Sequence, residues 1–207
     1  MPSRIFLLSP AYCGGRRAAM LLNSASRMEL AERLAGGALT LGEAFSFMSG
    51  LYFRGKLAYA RHFGRDVFVI TPTRGLQPPD ARVTAALLQE FAAVDVDASD
   101  RRYRRPLDRD LRKLSEENTN DTHVVLLGSI ATGKYVDAIS AAFGGRLHYP
   151  ASFVGRGDMS RGGLLLRSVT ANEELEYAPL FGDAPRHGPR PPKLVPLSKA
   201  PSVSRQP

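Results

Sequence analysis

The chain has 207 residues, of which 43% are hydrophobic, and its formal net charge at pH 7 is +8. This length and composition predict one globular domain with enough apolar side chains to build a core. No apolar run reaches the ~18 residues that span a bilayer, and the apolar stretch at residues 5–8 is shorter than a signal-peptide core. We therefore expect a soluble, unexported, cytoplasmic protein that does not associate with membranes.

Cysteine usage also restricts the class of protein. Cys13 is the only cysteine in the sequence, so the chain cannot form an internal disulfide. A structural zinc site is not expected for the same reason. We expect neither a bound metal nor a cofactor.

The positive charge is concentrated towards the C-terminus. Residues 183–207 hold five Lys or Arg residues against one Asp, a net charge of +4, and are rich in Pro and Ser. Such a segment has few apolar side chains to bury, so we expect a disordered basic tail. Residues 1–182 then form a single domain, and its remaining basic excess favours a polyanionic partner such as DNA or a nucleotide.

Strand and helix patterns alternate along the domain. Short apolar runs predict strands at residues 4–9, 66–71, 123–128 and 146–150. The first three runs are apolar on consecutive residues, which is typical of strands covered on both faces. Helical spacing predicts helices at residues 51–63, 81–94, 106–114 and 134–143. This alternation predicts an α/β fold with a mostly parallel central sheet flanked by helices.

A polar loop rich in Gly, Pro or Ser follows each predicted strand. The loops are residues 9–17, 71–80, 128–134 and 150–163. Ligands bind at the carboxyl ends of the strands in open parallel sheets, so we expect these loops to line one site. Their cations suit a phosphate or a sugar–phosphate backbone. These candidates are Arg16, Arg17, Arg74, Lys134, Arg156 and Arg161.

The loop at residues 128–134 resembles a P-loop in its glycine spacing. Gly128, Gly133 and Lys134 match G-x-x-x-x-G-K, but Tyr135 stands where a P-loop has Ser or Thr. No acidic residue ends the later strand, so we expect no ATP or GTP hydrolysis. Two interpretations remain open. Ser129, Thr132 and the helix amides could hold an anion, or the glycines only make a tight turn with Thr132 as N-cap.

Three further features each allow two interpretations. In "VGRGDMSRGG" the glycines permit close approach of a ligand, and Asp158 could be a general base or a helix N-cap. In "YCGGRR" the neighbouring arginines could stabilise a Cys13 thiolate nucleophile, or Cys13 is buried and inert. Residues 99–114 hold seven Lys or Arg with an interleaved Tyr. They could contact a nucleic-acid backbone or form a solvated helix face.

Taken in order, several segments resemble the small YaaA-like domains, which are common in phages and bacterial defence regions. The segments are "FLLSPAYCGGRR", "LYFRGKLAYARHF", "VFVITPTRGLQPPD", "VVLLGSIATGKYVDAI" and "PASFVGRGDMSRGG". The match covers residues 4–168 and departs from the family at residues 72–74 and in the richer "GRGDMSRGG". The resemblance implies a fold related to uracil-DNA glycosylases and association with nucleic acid. In the matching loops, the positions to which the resemblance assigns a place in the family's site are Ser9, Cys13, Arg74, Asp80, Gly128, Ser129, Arg156 and Asp158.

Together these observations predict a protein that acts on DNA, with cleavage of the N-glycosidic bond of a base as its chemistry and phage defence as its setting. That reaction needs a carboxylate near the sugar, either Asp158 or Asp80, and a group that stabilises the departing base, either Ser129 or Arg156. Two alternatives stay open. One is a non-catalytic DNA-binding protein of the stress response, and the other is a hydrolase or transferase of free nucleosides.

Overall fold

The computed structural model describes residues 3–180, 187–192 and 194. Its strands are β1 (Arg4–Leu8), β2 (Asp66–Ile70), β3 (Leu76–Gln77), β4 (His123–Leu127), β5 (Leu147–Pro150) and β6 (Tyr177–Pro179). Its α-helices are α1 (Arg16–Leu22), α2 (Glu29–Ala35), α3 (Leu41–Ser49), α4 (Leu51–Phe63), α5 (Ala85–Ala92), α6 (Arg101–Glu116), α7 (Gly133–Phe143) and α8 (Asp158–Ala171). Short 3₁₀ turns flank β5 at Gly144–Arg146 and Ala151–Phe153.

Within the described residues the strands form a six-stranded sheet in the order β3-β2-β1-β4-β5-β6. The four central strands β2, β1, β4 and β5 run parallel, and β3 and β6 are antiparallel at the two edges. The prediction of an α/β fold with a mostly parallel sheet is confirmed. The two edge strands were not predicted, because each has only two or three residues and lacks an apolar run.

Helices cover both faces of the sheet, as the consecutive apolar residues predicted. On one face, Phe6 and Leu8 of β1 and their neighbours in β2 and β4 pack under α1 to α5 and α8. On the other face, Ile5 and Leu7 pack under α6 and α7. Alternate residues of β1 therefore point to opposite apolar layers, and its residues from Ile5 to Leu8 are fully buried.

The predicted helices all exist, with shifts at their ends. Helix α4 has the predicted bounds, whereas α6 begins at Arg101 instead of Pro106 because the Asp100 side chain accepts a hydrogen bond from the Arg102 backbone and starts the helix earlier. Helices α1 to α3 were not predicted. Helix α3 begins with a capping box in which Thr40 and Glu43 each accept from the other's backbone N–H.

Helices α4 and α8 cross at a pair of glycines. A Cβ added to Gly55 would lie 2.7 Å from the Gly162 carbonyl oxygen, and one added to Gly162 would lie 2.7 Å from the Leu51 carbonyl oxygen. Real Cβ atoms do not come this close to backbone, so the crossing requires glycine at both positions. The expectation that Gly162 makes room for a ligand is therefore wrong, since it makes room for α4.

Of the predicted disordered tail, the structure describes only residues 187–192 and 194. Residues 183–186, 193 and 195–207 lie outside the described residues. The described part lies against the start of α8: the Pro189 carbonyl borders Gly155 and Leu194 borders Gly163. Within the described residues, no helix is long and apolar enough to cross a membrane.

Candidate functional site

A cleft opens at the carboxyl ends of the central strands. From β1 the chain continues to β2 on one side, and from β4 it continues to β5 on the other, so the direction of winding changes between β1 and β4. Ligand sites of open α/β sheets lie at such a switch point. The cleft here has a volume of about 760 Å³. Its walls come from the loop after β1, the starts of α1, α7 and α8, the junction of α3 and α4, and the loop after α5.

Lys56 of α4 lies at the inner wall of this cleft and is only 1% exposed. Its Nζ lies 2.6 Å from the Ser9 carbonyl oxygen and 2.8 Å from Ser9 Oγ. The same nitrogen lies 4.6 Å from the ring centre of Tyr52 and 4.8 Å from that of Phe53. The amine is thus held by Ser9 at the end of β1 and by two aromatic rings of its own helix.

Burial controls the ionisation of Lys56. Removal from water lowers its pKa from 10.5 to about 7, while attraction to Asp158 raises the pKa and repulsion from Arg161 lowers it. Both charged neighbours belong to α8, and the close glycine crossing brings that helix next to α4. Near neutral pH, a substantial fraction of Lys56 is therefore uncharged.

The remaining walls combine cations and aromatic rings with two further carboxylates, Asp95 and Asp97. Arg16, Arg17 and Lys134 supply positive charge, and Tyr12 is 74% exposed at the rim. The Tyr52 hydroxyl is buried and has no well-aligned hydrogen-bond partner among the described residues. Burial raises the pKa of this hydroxyl, and the nearby Arg161 guanidinium partly offsets that rise. Anionic groups and flat rings are the ligand features that such walls suit.

The structure brings part of the predicted site together. The cleft is lined by seven of the candidates, from the loops after β1 and β4 and from the starts of α1, α7 and α8, namely Ser9, Cys13, Arg16, Arg17, Ser129, Lys134 and Asp158. Asp158 has a side chain that is 69% exposed, and its carboxylate is 3.6 Å from the Arg161 guanidinium. Arg161 itself is mostly buried and donates to the Phe153 carbonyl oxygen.

Other predicted residues do not line the cleft. Asp80 pairs with Arg61 and its side chain is 74% exposed. Arg74 makes a two-pronged ion pair with Glu90, at 2.8 and 2.6 Å.

Arg156 donates to the Ser152 carbonyl at 2.9 Å and to Ser160 Oγ at 3.2 Å, beside a smaller groove at the start of α8. The four loops share one sheet edge as expected, but these side chains are used by local partners. Arginines of α6 are also paired locally, with Asp100, Asp108 and Asp110.

The interpretation of Asp158 as an N-cap is wrong, whereas the interpretation of Thr132 as an N-cap is correct in position. Gly157, not Asp158, is the N-cap of α8, and Asp158 is the first residue of the helix. Thr132 does occupy the N-cap position of α7, but its side chain makes no capping hydrogen bond. Asp158 therefore stabilises α8 as an acidic residue in the first turn and through its ion pair with Arg161. Its carboxylate also lines the cleft.

The environment of Cys13 differs from the one expected from its neighbouring arginines. The thiol is buried, lies 3.6 Å from the Ala11 carbonyl oxygen, and has its pKa raised to about 12 by desolvation. Thiolate formation is disfavoured, which argues against a nucleophilic role.

Gly128 in the P-loop-like turn has a packing role. A Cβ at this position would lie 3.0 Å from Ser9 Cβ, so glycine lets the ends of β1 and β4 come together. Tyr135 is buried, and its ring centre lies 5.2 Å from Lys134 Nζ. Lys134 is thus carried beside the cleft by the first turn of α7.

Sequence reasoning missed Lys56. The signal was present in "LYFRGKLAYARHF": Tyr52, Lys56 and Tyr59 recur at spacings of four and three, so the lysine lies on the buried stripe of an amphipathic helix. A lysine on such a stripe is rare, because burying an ammonium group is costly.

No protein-family model, curated protein or solved structure matches this chain. Within the described residues, no group of His, Cys, Asp or Glu is arranged to hold a metal ion.

Proposed function

We propose that the chain is a YaaA-like domain that acts on DNA, and that the cleft cleaves the N-glycosidic bond of a base. The observation that carries this proposal is the exposed carboxylate of Asp158 in a cleft that also holds the cations Arg16, Arg17 and Lys134. Cleavage of an N-glycosidic bond builds positive charge on the sugar and negative charge on the departing base. A carboxylate facing cations supplies partners for both charges.

Each part of a nucleotide has a complementary group in the cleft. Arg16, Arg17 and Lys134 supply charge for phosphates, and the exposed Tyr12 ring offers a surface on which a base can stack. A volume of about 760 Å³ accommodates one extruded nucleotide unit with room for water. Asp158 would stabilise the sugar cation or orient the attacking water, and Ser129 would interact with the base.

The resemblance to YaaA-like domains supports the same assignment, because it implies a fold related to uracil-DNA glycosylases. The order of the parallel strands, with β1 and β4 central and the cleft between their ends, is compatible with that relationship. Phage defence would be the biological setting.

The test is release of free base from DNA that carries different modified bases, measured by mass spectrometry on the purified chain. We expect Asp158→Asn to lower base release by about 100-fold or more, as for loss of a general base. Asp80→Asn is the matched control, since it removes an exposed carboxylate that is outside the cleft. Equal effects of the two substitutions would refute the role of Asp158.

Binding should be tested separately with a salt series. Affinity for DNA should fall as salt rises, because each neutralised phosphate releases counterions. Arg16→Ala and Arg17→Ala should weaken binding more than Arg74→Ala, whose charge is already paired with Glu90. Tight binding without base release would favour the non-catalytic alternative, and base release from nucleosides alone would favour a nucleoside hydrolase.

A further inference from the structure

The contact between Ser9 and Lys56 provides a second reactive centre in the cleft. Both side chains are buried, and both line the cavity wall. Among the described residues, the hydrogen-bond partners of Lys56 Nζ are the two oxygens of Ser9, and no carboxylate pairs with it. Asp158 acts on the amine only through longer-range attraction.

The geometry suits an uncharged amine. A neutral amine has two N–H groups and one lone pair. The protonated amine donates to the Ser9 carbonyl oxygen at 2.6 Å and to Ser9 Oγ at 2.8 Å. Once the amine is uncharged, it can still donate to the carbonyl oxygen, and its lone pair can accept the Ser9 hydroxyl proton over the same 2.8 Å. A hydroxyl that donates to a basic nitrogen is the arrangement that activates serine nucleophiles, and lysine is an established form of that base.

A purely structural role for the contact between Ser9 and Lys56 explains less well why residue 56 is a lysine. The Ser9 carbonyl could be satisfied by a neutral donor without the cost of burying an amine. Although buried, the lysine also lines the cleft, as do Arg16, Arg17 and Lys134. A costly basic group at the edge of a ligand-sized cavity is typical of a functional site.

We propose that Ser9 and Lys56 form a serine–lysine dyad that transfers or hydrolyses an acyl ester or amide carried by an anionic, phosphate-bearing molecule. The cations of the cleft hold the anionic part, and Ser9 Oγ meets the acyl carbonyl. Residues 10–13 and Gly15 line the same wall, and a backbone N–H group of this loop would stabilise the oxyanion that forms.

The proton and electron transfers balance within the dyad. The Ser9 hydroxyl proton moves to Lys56 Nζ as Oγ bonds to the carbonyl carbon, whose π electrons move to oxygen. Collapse of this intermediate breaks the bond to the leaving group, which takes the proton from the Lys56 ammonium. Water then attacks the acyl-serine and gives its proton to Lys56, and that proton returns to Ser9 Oγ as the acid departs.

The test uses a fluorophosphonate probe and p-nitrophenyl acetate on the full chain, with peptide mapping of the labelled residue. We expect the fluorophosphonate to label Ser9, with no label on Ser9→Ala. The substitution keeps the carbonyl that holds Lys56, so folding should be retained. Lys56→Met should slow labelling and ester hydrolysis by about 100-fold, the effect of losing a general base. Ser49→Ala is the matched control, because Ser49 also lines the cleft.

If Lys56→Met is poorly folded, a pH series on the wild type shows whether Lys56 acts as a base or only supports the structure. From about pH 6 to about pH 9, wild-type labelling should rise as Lys56 loses its proton, with the midpoint near the pKa of the amine. Label on another residue, or no label on Ser9 across this range in folded protein, would overturn the proposal. These probes contain neither base nor sugar, so the result is independent of the N-glycosidic activity proposed above.

Discussion

Replacing Lys56 by methionine should change how stability depends on pH. Methionine keeps an unbranched side chain of similar length but cannot be protonated. In the wild type, the native state holds Lys56 at 1% exposure with its pKa lowered from 10.5 to about 7. The unfolded chain exposes the amine to water, so its pKa there is the ordinary value.

The sign follows from which state binds more protons. Between about pH 7 and pH 10.5 the unfolded chain is protonated at Lys56 while the native state is not. The free energy of unfolding therefore rises with pH through this window, by about 1.4 kcal/mol per pH unit. Below pH 7 the full cost of burying the charge is present, on the order of 5 kcal/mol, and above 10.5 it is absent. Lys56→Met removes this dependence.

The assay is denaturant unfolding of the two proteins at a series of pH values from about 6 to about 10. Subtracting the variant from the wild type cancels the groups that they share. We expect the wild type to gain stability relative to Lys56→Met as pH rises. Lys134→Met controls for the loss of one positive charge from the same cleft. A difference between wild type and Lys56→Met that stays constant with pH would refute the desolvated state of Lys56.

Three further predictions concern neighbouring features. Gly162→Ala should destabilise the chain by about 1–3 kcal/mol in denaturant unfolding, because the added methyl group overpacks against the backbone of α4. Gly163→Ala is the control and should not destabilise the chain, because its added methyl group meets only the flexible Leu194 side chain, at 3.4 Å. Cys13 should react with iodoacetamide much more slowly in native than in unfolded protein at pH 8, since burial raises its pKa to about 12; equal rates would contradict this. Asp158→Asn should lower the pH midpoint of Ser9 labelling and Arg161→Gln should raise it, because Asp158 raises the Lys56 pKa and Arg161 lowers it. Midpoints that shift in the same direction would contradict these opposite effects on Lys56.

The central sheet could be predicted because its strands leave a strong local signal. Consecutive apolar residues in β1, β2 and β4 reflect burial on both faces, and that pattern is visible in the sequence alone. Strands β3 and β6 leave no such signal. They pair at the edges over two or three residues, and tertiary contacts rather than composition make them strands.

The sequence predicts which loops form the candidate site, but it does not predict which of their side chains line it. Parallel strands put the loops at one edge, which is why Ser129, Lys134 and Asp158 meet at the cleft. Whether a charge remains available depends on partners that are distant in sequence. Glu90 pairs with Arg74, and Arg61 with Asp80, and neither pairing can be inferred from spacing.

The buried amine, the glycine crossing and the cleft depend on one another. Gly55 precedes Lys56, so the place where α8 can approach α4 most closely is also the place where the amine lies. That approach brings Asp158 and Arg161 close enough to affect the Lys56 pKa in opposite directions. A bulkier residue at the crossing would push α8 away from α4 and carry both charges away from the amine. The glycine pair therefore stabilises the helix packing and also determines the electrostatics of the site, which explains why a helix interior accepts two residues of poor helix propensity.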